Sequence, residues 1–423
     1  MRYSTLFGKA IKNAPHDAES INARLLAQGG FIEQMMAGVY SYLPLGLRVL
    51  NRVQDIVREE MNAIGGQELL MPALQSKELW DETGRWEKLA SIMFQFESRG
   101  KHLGLGTTHE EPIVHIVRHH IASYKDLPLY LYQIQDKFRN EPRAKSGLLR
   151  GREFSMKDLY SFHRDEKDLQ EFYAKAIEAY RKIFLRCGLE AIVTEASGGE
   201  FTKEFSHEFQ VITPNGEDTI YYCQACGWCQ NKEIAKVKAG DKCPECGKKI
   251  EEHRSIEVGN IFKLGTRYSK DMKLQFADED GKKKDVIMGC YGIGPSRVMG
   301  AAVEVFNDKD GIIWPKEIAP YQVHLVTLGA KDDSVNSEIM SAGSNLYDQL
   351  DDAGIEVLWD EREGASAGEK LKDADLLGVP LRILISEKTL KDNSVEWKYR
   401  AEKKAQMVNL GDVFEEVEAW IKE

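Results

Sequence analysis

Phe138-Arg139-Asn140-Glu141, answered by Arg150-Gly151-Arg152-Glu153-Phe154, and much further on Gly289-Cys290-Tyr291-Gly292-Ile293-Gly294-Pro295-Ser296-Arg297, are the stretches from which the architecture can be read. Side chains two apart on a strand share a face, so Arg139 lies with Glu141, and Arg150, Arg152, Phe154, Met156 and Asp158 lie together. Residues 142–149, with Lys145-Ser146-Gly147, form a loop that folds the two strands into an antiparallel hairpin with one face rich in charge. Arginine suits forked hydrogen bonding to phosphate oxygens, and Phe154 is free to stack on a base. Taken alone, the hairpin is equally a solvated strand face with cross-strand Arg–Glu pairs.

The glycine run shifts that balance. No Lys-Ser or Lys-Thr follows its last glycine, and no βαβ unit surrounds it, so neither a Walker loop nor a dinucleotide loop fits. What remains is a strand, close backbone approach permitted by glycines, and Pro295 at a first helical position, with Arg297 in the first turn of a helix continuing through Val305. Helix dipole and side chain there have the same sign, which favours an anion. Arg139, Arg150, Arg152, Arg297, Glu141 and Phe154 are therefore candidates for holding the triphosphate and adenine of ATP.

Length and composition bound the rest. The chain has 423 residues and 42% apolar content, enough for two or three domains with real cores and nothing to suggest disorder. A formal charge of −11 weighs against nonspecific coating of nucleic acid, while leaving room for local basic patches. No run approaches the roughly 20 apolar residues of a membrane span, and residues 1–13 lack a signal peptide's apolar stretch and cleavage site, so a cytoplasmic location is expected.

Along the chain, residues 20–62 read as helices with a break at Pro44-Leu45-Gly46, and 68–72 as a short strand. Turn signals occupy 80–86, a helix covers 110–124, an amphipathic helix covers 168–187, and 206–212 reads as a strand. From about Pro320 strands alternate with helices: Val323-His324-Leu325-Val326, Ile355-Glu356-Val357-Leu358 and Leu381-Arg382-Ile383-Leu384-Ile385, ending in a helix from Asp412. That alternation implies a separate α/β domain with a parallel or mixed sheet.

Thr107-Thr108-His109-Glu110-Glu111 opens a helix and reads locally as a capping box; the functional alternative is that Glu110 offers its carboxylate to a cationic amine. Cys223-x-x-Cys226-Gly and Cys243-x-x-Cys246-Gly match a four-thiolate zinc site in spacing. Four thiolates leave no open position, so such a zinc is structural. Cys229, within the same segment, complicates the ligand assignment.

These residues resemble those of class II aminoacyl-tRNA synthetases, whose second and third signature motifs the hairpin and the glycine run are similar to. The first motif is matched by residues 61–72 and implies a homodimer. Within the class, the sequence looks most like the bacterial type of prolyl-tRNA synthetase, with agreement at Ala27-Gln28-Gly29-Gly30-Phe31, Thr108-His109-Glu110-Glu111, Ser206-His207-Glu208-Phe209-Gln210 and Glu257-Val258-Gly259-Asn260-Ile261-Phe262. The resemblance implies an α/β (α+β) architecture: an antiparallel catalytic sheet with flanking helices over 1–222 and 247–315, a cysteine-rich zinc-ribbon-like segment over 223–246, and an anticodon-binding α/β domain over 320–423. It implies ATP with Mg²⁺, L-proline and tRNA(Pro) as reactants. Arg139 would meet the α-phosphate and the amino-acid carboxylate, Glu141 the adenine edge, Phe154 its face, and Arg150 with Arg297 the γ-phosphate; Arg139 and Arg297 would be the catalytic pair. Thr108 and Glu110 would receive the imino group, with Met156, Asp158, Tyr160, His163, Ser206 and His207 as further pocket candidates. Arg362, Lys370 and Lys372 are anticodon candidates by charge and position.

Three departures from the family pattern stand out, of which Thr107, in place of the usual proline before Thr108-His109-Glu110, is expected to have little effect. Many bacterial relatives carry, between the second and third motifs, a large insertion that hydrolyses mischarged alanyl-tRNA; here only the cysteine segment fills that place. A separate trans-editing protein is then an expected partner. The 142–147 loop lacks the usual Pro-Arg-Phe-Gly, which leaves its acceptor-stem contacts open. Rival readings are a threonyl- or histidyl-tRNA synthetase, with a similar arginine framework, and a catalytically silent tRNA-binding regulatory module, which would have no use for Arg139, Arg150 and Arg297.

Overall fold

Strands β1 (Gln67–Glu68), β2 (Leu129–Phe138), β3 (Glu153–His163), β4 (Ala191–Ala196), β5 (Ser206–Ile212), β6 (Asp218–Tyr222), β7 (Cys229–Asn231), β8 (Glu251–Gly265) and β9 (Ile287–Ile293) form one nine-stranded sheet in the order β5-β4-β7-β6-β8-β9-β3-β2-β1. The computed structural model describes residues 1–16 and 18–422. This sheet belongs to the larger of two compact units, made of Met36–Val39 and Val53–Ala301; the other comprises Met1–Met35, Tyr40–Arg52 and Ala302–Glu423.

The hairpin and the glycine run are neighbours in the sheet. Strands β2 and β3 pair antiparallel from Leu129 opposite Phe162 to Phe138 opposite Glu153, and β3 pairs with β9 so that Asp158 faces Gly292 and Tyr160 faces Cys290. The glycine run is thus itself a strand rather than a loop after one. Opposed residues share a face, so Phe154, Met156, Asp158, Tyr160, Cys290, Gly292, Asn260 and Glu208 lie on one side. Lys157, Leu159, Ser161, His163, Tyr291, Ile261 and His207 lie on the other.

Each face is covered differently. Helix α3 (Glu166–Arg186) closes the second: Phe172 stacks on Tyr130 at 3.8 Å between centroids, and Tyr180 and Phe184 meet Phe209 at 4.9 and 5.5 Å. On the first face only one end is closed. Tyr160, Phe162, Met288 and Cys290 form a core with Ile113, Val114 and Val117 of helix α2 (Glu110–Val117). The remaining end, toward Phe154 and Gly292, stays open next to the N-terminus of α4 (Pro295–Val305).

Several local expectations are revised. Residues 32–42 are not helical: Ile32–Met36 and Val39–Tyr42 form a hairpin whose Gly38 turns at φ 76°, and the long helix α1 runs Pro44–Ala63 with Pro44 as its first residue. Helix α2 stops at Val117 instead of continuing to 124, because its last turn tightens: His119 N–H donates to Ile116 O and His120 N–H to Val117 O. The 80–86 stretch holds the ends of two short helices, Lys77–Asp81 and Arg85–Lys88. Arg139, Glu141, Arg150 and Arg152 lie beyond the strand ends, in a connection that contains a 3₁₀ turn at Gly147–Leu149. Arg139 N–H still donates to Arg152 O at 2.8 Å, and Arg152 N–H to Gly38 O at 2.7 Å, so that connection is tied down.

The smaller unit carries a five-stranded mixed sheet of β10 (Val323–Thr327), β11 (Val357–Asp360), β12 (Leu381–Ile385), β13 (Ser394–Tyr399) and β14 (Gln406–Asn409), in the order β11-β10-β12-β13-β14. The first three are parallel and the last two antiparallel. Val323, Leu325, Trp359, Ile383, Val395 and Trp397 form its core with helices α5 (Asp333–Asp352) and α7 (Val413–Lys422). Helix α6 (Ala367–Leu377) lies between β11 and β12 in sequence.

One buried charge under α3 gives a measurable signature. Lys157, with 0% exposure, donates to Tyr180 Oη at 2.6 Å and Tyr291 O at 3.0 Å, and burial lowers its ammonium from 10.5 to about 7. Between those values the unfolded chain holds more protons than the folded one, so stability rises with pH there. Wild type should gain about 2 kcal/mol between pH 7 and 9 relative to Lys157→Met. Parallel denaturant midpoints for the two proteins at both pH values would reject this.

Candidate active site and candidate metal centre

Arg139 and Arg297 approach the open end of the first sheet face from opposite sides. Arg139 donates from Nε and Nη2 to Thr107 O at 3.4 Å and sits 5.3 Å over the Phe154 ring. Burial, then the positive charge of Arg297, pushes its guanidinium below the ordinary range. A buried guanidinium destabilised by a neighbouring guanidinium marks a place prepared for an anion. Between them the floor is smooth: a Cβ built at Gly292 would find only Asn260 O within 4 Å, at 3.7 Å.

Arg297 and Arg150 rest on carboxylates. Arg297 Nη1 pairs with Glu257 Oε2 at 3.0 Å, while Arg150 pairs with Glu141 at 3.1 Å and Glu217 at 3.2 Å. Arg152 Nε donates to Glu141 O at 3.0 Å. Leu149, Arg150, Glu217, Asp218, Ser255, Glu257 and Arg297 line one open cleft. The Arg–Glu pairs expected of an ordinary strand face are therefore present, and they lie in the same cleft as Arg297. Beside them, Glu208 is pushed up to about 8 by burial and by Glu257. Asn260 Oδ1 and Gln210 Oε1 are buried there without a hydrogen-bond partner.

A second feature sits where α2 begins. Its N-cap is His109 with no side-chain cap, so the capping-box reading fails. Instead Thr108 Oγ1 donates to the Glu110 carboxylate at 2.7 Å, Arg85 Nη1 donates to it at 3.2 Å, and the Cys290 thiol donates at 3.4 Å. Glu110 is a wholly buried carboxylate on the ligand-facing side of the sheet. Below it, Asp158 accepts from Gln133 Nε2 at 3.0 Å and Tyr160 Oη at 3.0 Å, and pairs with Lys137 at 2.7 Å. Tyr160 Oη in turn accepts from His109 N–H at 3.0 Å. His109 Nε2–H donates to Pro72 O, and burial with Lys137 lowers the ring to about 4, so it stays neutral. Asp158 and Tyr160 thus clamp the Thr108-His109-Glu110 turn to the sheet.

Two pocket candidates are corrected by strand parity. His163 and His207 lie on the face under α3: His163 bonds Asp168 and Ser161 at 2.9 and 2.8 Å, and His207 Nδ1 bonds Tyr173 Oη at 2.8 Å. Ser206 is fully buried and donates to Ser197 O, while Met156 remains half-buried on the ligand face. In the smaller unit, Arg362 is tied to Asp360 and Asp373 at 2.7 and 2.9 Å, and Lys370 donates to Thr327 O at 2.7 Å; Lys372 is exposed. Arg85, Cys290 and Glu257 stand at the candidate site although motif reading assigned them no role, and Glu208 was reached only as part of the Ser206–Phe209 strand. Arg85 carried the least signal, a lone basic residue after a Thr-Gly turn.

The cysteines converge. Sγ atoms of Cys223, Cys226, Cys243 and Cys246 all lie within 4.8 Å of one another, with Cys223–Cys246 at 3.5 Å and Cys226–Cys243 at 3.6 Å. Gly227 and Gly247, at φ 82° and 72°, turn the chain after each pair and donate N–H to the carbonyls of Cys223 and Cys243. A side chain at either position would strain that turn. Cys229 is not a fifth member: it is buried on β7, accepts from Thr194 Oγ1 at 3.1 Å, and burial raises its thiol to about 12.

A largely antiparallel sheet with an arginine on each side of an open face and a glycine strand as its floor is the core of a class II aminoacyl-tRNA synthetase. Residues 94–306 match the tRNA synthetase class II core domain (G, H, P, S and T), and residues 322–420 match an anticodon binding domain. Curated proline–tRNA ligases are similar throughout: that of Desulfitobacterium hafniense is 34% identical, covering 100% of this chain and 99% of the relative, and that of Geotalea daltonii is 35% identical over 99% of each. The chain belongs to the proline–tRNA ligase family. The first of those alignments runs over 575 positions, more than this chain's 423 residues, so the relative carries residues absent here. The fold agrees with prolyl-tRNA synthetase from Giardia lamblia in complex with prolyl-adenylate (TM-score 0.80, 19% identity, 98% of this chain and 82% of that one). It agrees equally with the Cryptosporidium parvum enzyme complexed with halofuginone and AMPPNP (0.79, 18%, 95% and 76%). No helix among the described residues is long and apolar enough to cross a membrane.

Proposed function

We propose that this chain activates L-proline with ATP and transfers it to tRNA(Pro), without hydrolysing alanyl-tRNA(Pro) itself. The observation that carries the reading is the juxtaposition of an anion cleft, Arg139 and Arg297, with a buried carboxylate, Glu110, on the same sheet face. Glu110 and Thr108 receive the proline ammonium, and Arg139 lies between its carboxylate and the ATP α-phosphate. Phe154 takes the adenine face and Glu141 its edge. Arg150 and Arg297 exchange their glutamate partners for γ-phosphate oxygens.

With substrates so placed, a proline carboxylate oxygen attacks the α-phosphorus and pyrophosphate leaves. A terminal ribose hydroxyl of tRNA then attacks the prolyl carbonyl and AMP leaves. Negative charge builds in the first step, and prepositioned arginines stabilise it without a protein nucleophile. Class II synthetases use ATP with Mg²⁺. Glu208 and Glu257, with the orphaned Asn260 Oδ1 and Gln210 Oε1, form the hard-oxygen set that would hold it, and it would supply positive charge against the triphosphate.

Catalytic segments over 1–222 and 247–315 and an anticodon-binding domain over 320–423 are part of this reading. So is a homodimer, supported by Leu70 and Leu74, which are 74% and 52% exposed near the edge strand β1. Only the stretch between β6 and β8 occupies the place of a proofreading insertion, and it is filled by the cysteine cluster, whose tetrahedral thiolate spacing suits a structural Zn²⁺. A pocket for proline cannot exclude alanine sterically, since a lost methylene is worth only about 1 to 3 kcal/mol. Correction by a separate cytoplasmic protein follows.

Amino-acid-dependent ATP–pyrophosphate exchange should be led by proline; exchange led by threonine or histidine would overturn the assignment. Arg297→Ala should lower that exchange by about a hundredfold or more while leaving the fold intact. Purified chain should charge tRNA(Pro) with alanine measurably and leave alanyl-tRNA(Pro) intact, and deacylation by the chain alone would sink the editing claim. Elemental analysis should find one zinc per chain, lost in Cys226→Ser; a metal-free, fully folded wild type would reject the zinc.

A further inference from the structure

Glu110 and its neighbour Glu111 are both 0% exposed, and a single cation, Arg85, sits between them with only 3% of its side chain exposed. Its Nη1 lies 3.2 Å from Glu110 Oε2 and 3.0 Å from both Glu111 oxygens. Thr83 Oγ1 donates to Glu111 at 2.6 Å. The guanidinium is walled by the rings of Trp80, Phe201 and Tyr268 at 5.2, 5.5 and 5.3 Å. Water is excluded from the group that balances the two carboxylates.

We propose that Arg85 is a positioning residue for proline: it cancels the charge of Glu111 and so leaves the Glu110 carboxylate aimed at the substrate ammonium. This rests on the reading of Glu110 as the amine acceptor. With Arg85 the trio carries one net negative charge, which the ammonium of proline neutralises. Without it two adjacent buried carboxylates face each other, and such a pair takes up a proton or rearranges rather than remaining doubly charged. A shared proton then replaces the substrate's ammonium as the partner of Glu110. Thr108 and Cys290, which also donate to Glu110, are neutral and cannot substitute for the cation. ATP is recognised on the other side of Arg139, by residues that do not touch Arg85.

The test is proline and ATP titration in pyrophosphate exchange. Arg85→Met should raise the proline KM by about tenfold or more with the ATP KM unchanged, and Arg85→Lys should fall between the two. The double variant Arg85→Met/Glu111→Gln removes the uncompensated charge and should restore proline KM toward wild type; if the single variant does not fold, this double and Arg85→Lys carry the test. An unchanged proline KM in Arg85→Met, an ATP KM rising in step, or a double variant no better than the single would overturn the proposal. Glu110→Gln separates the two readings. An unchanged proline KM there overturns the role of Glu110 itself, whereas a rise there with none in Arg85→Met overturns only the role of Arg85.

Discussion

Asp158, buried beneath the site, is the group on which the arrangement depends. It pairs with Lys137 and accepts from Gln133 and Tyr160, and so joins β2 to β3 and both to the turn that opens α2. A buried carboxylate is tolerated only when its charge is balanced and its lone pairs are used. That requirement fixes the register of the hairpin against the Thr108-His109-Glu110 turn. Since Gly292 lies opposite Asp158, the same register places the smooth glycine floor beside the two cationic walls.

The second constraint is the division of labour between the two faces of the sheet. Helix α3 packs its aromatic rings against one face, whereas α2 closes only the end of the other where Tyr160, Phe162 and Met288 are apolar. The candidate active site is the uncovered remainder. Its polar groups are held by partners that ligands can displace, Glu257 for Arg297 and Glu141 with Glu217 for Arg150. Arg150 and Arg297 are therefore charge-balanced when the cleft is empty, whereas Arg139 has only the Thr107 carbonyl as partner.

Much of the fold was legible because its signals are local. Pro295 at a helix start, Ser206–Ile212 as a strand, the alternating C-terminal elements and the paired Cys-x-x-Cys-Gly turns each depend on a few adjacent residues. Residues 32–42 misled because apolar spacing after a helix does not distinguish its continuation from a hairpin, and Gly38 alone marks the turn. His163 and His207 misled for a different reason. Both flank strong motif residues, yet each falls on the odd-numbered side of its strand, and parity turns their rings toward α3.

By itself the sequence singled out the candidate groups: the arginines, a carboxylate at a helix start, the glycine strand and, apart from the cleft, four clustered cysteines. Those follow from residue type and short spacing, which fold-independent chemistry constrains. Tertiary structure alone decided which partners those groups have. Arg85 meets Glu110 and Glu111, Cys290 meets Glu110, and Asp158 turns from pocket candidate into clamp. Charge balance in a buried site is set by distances between segments far apart in the chain, and no local pattern encodes it.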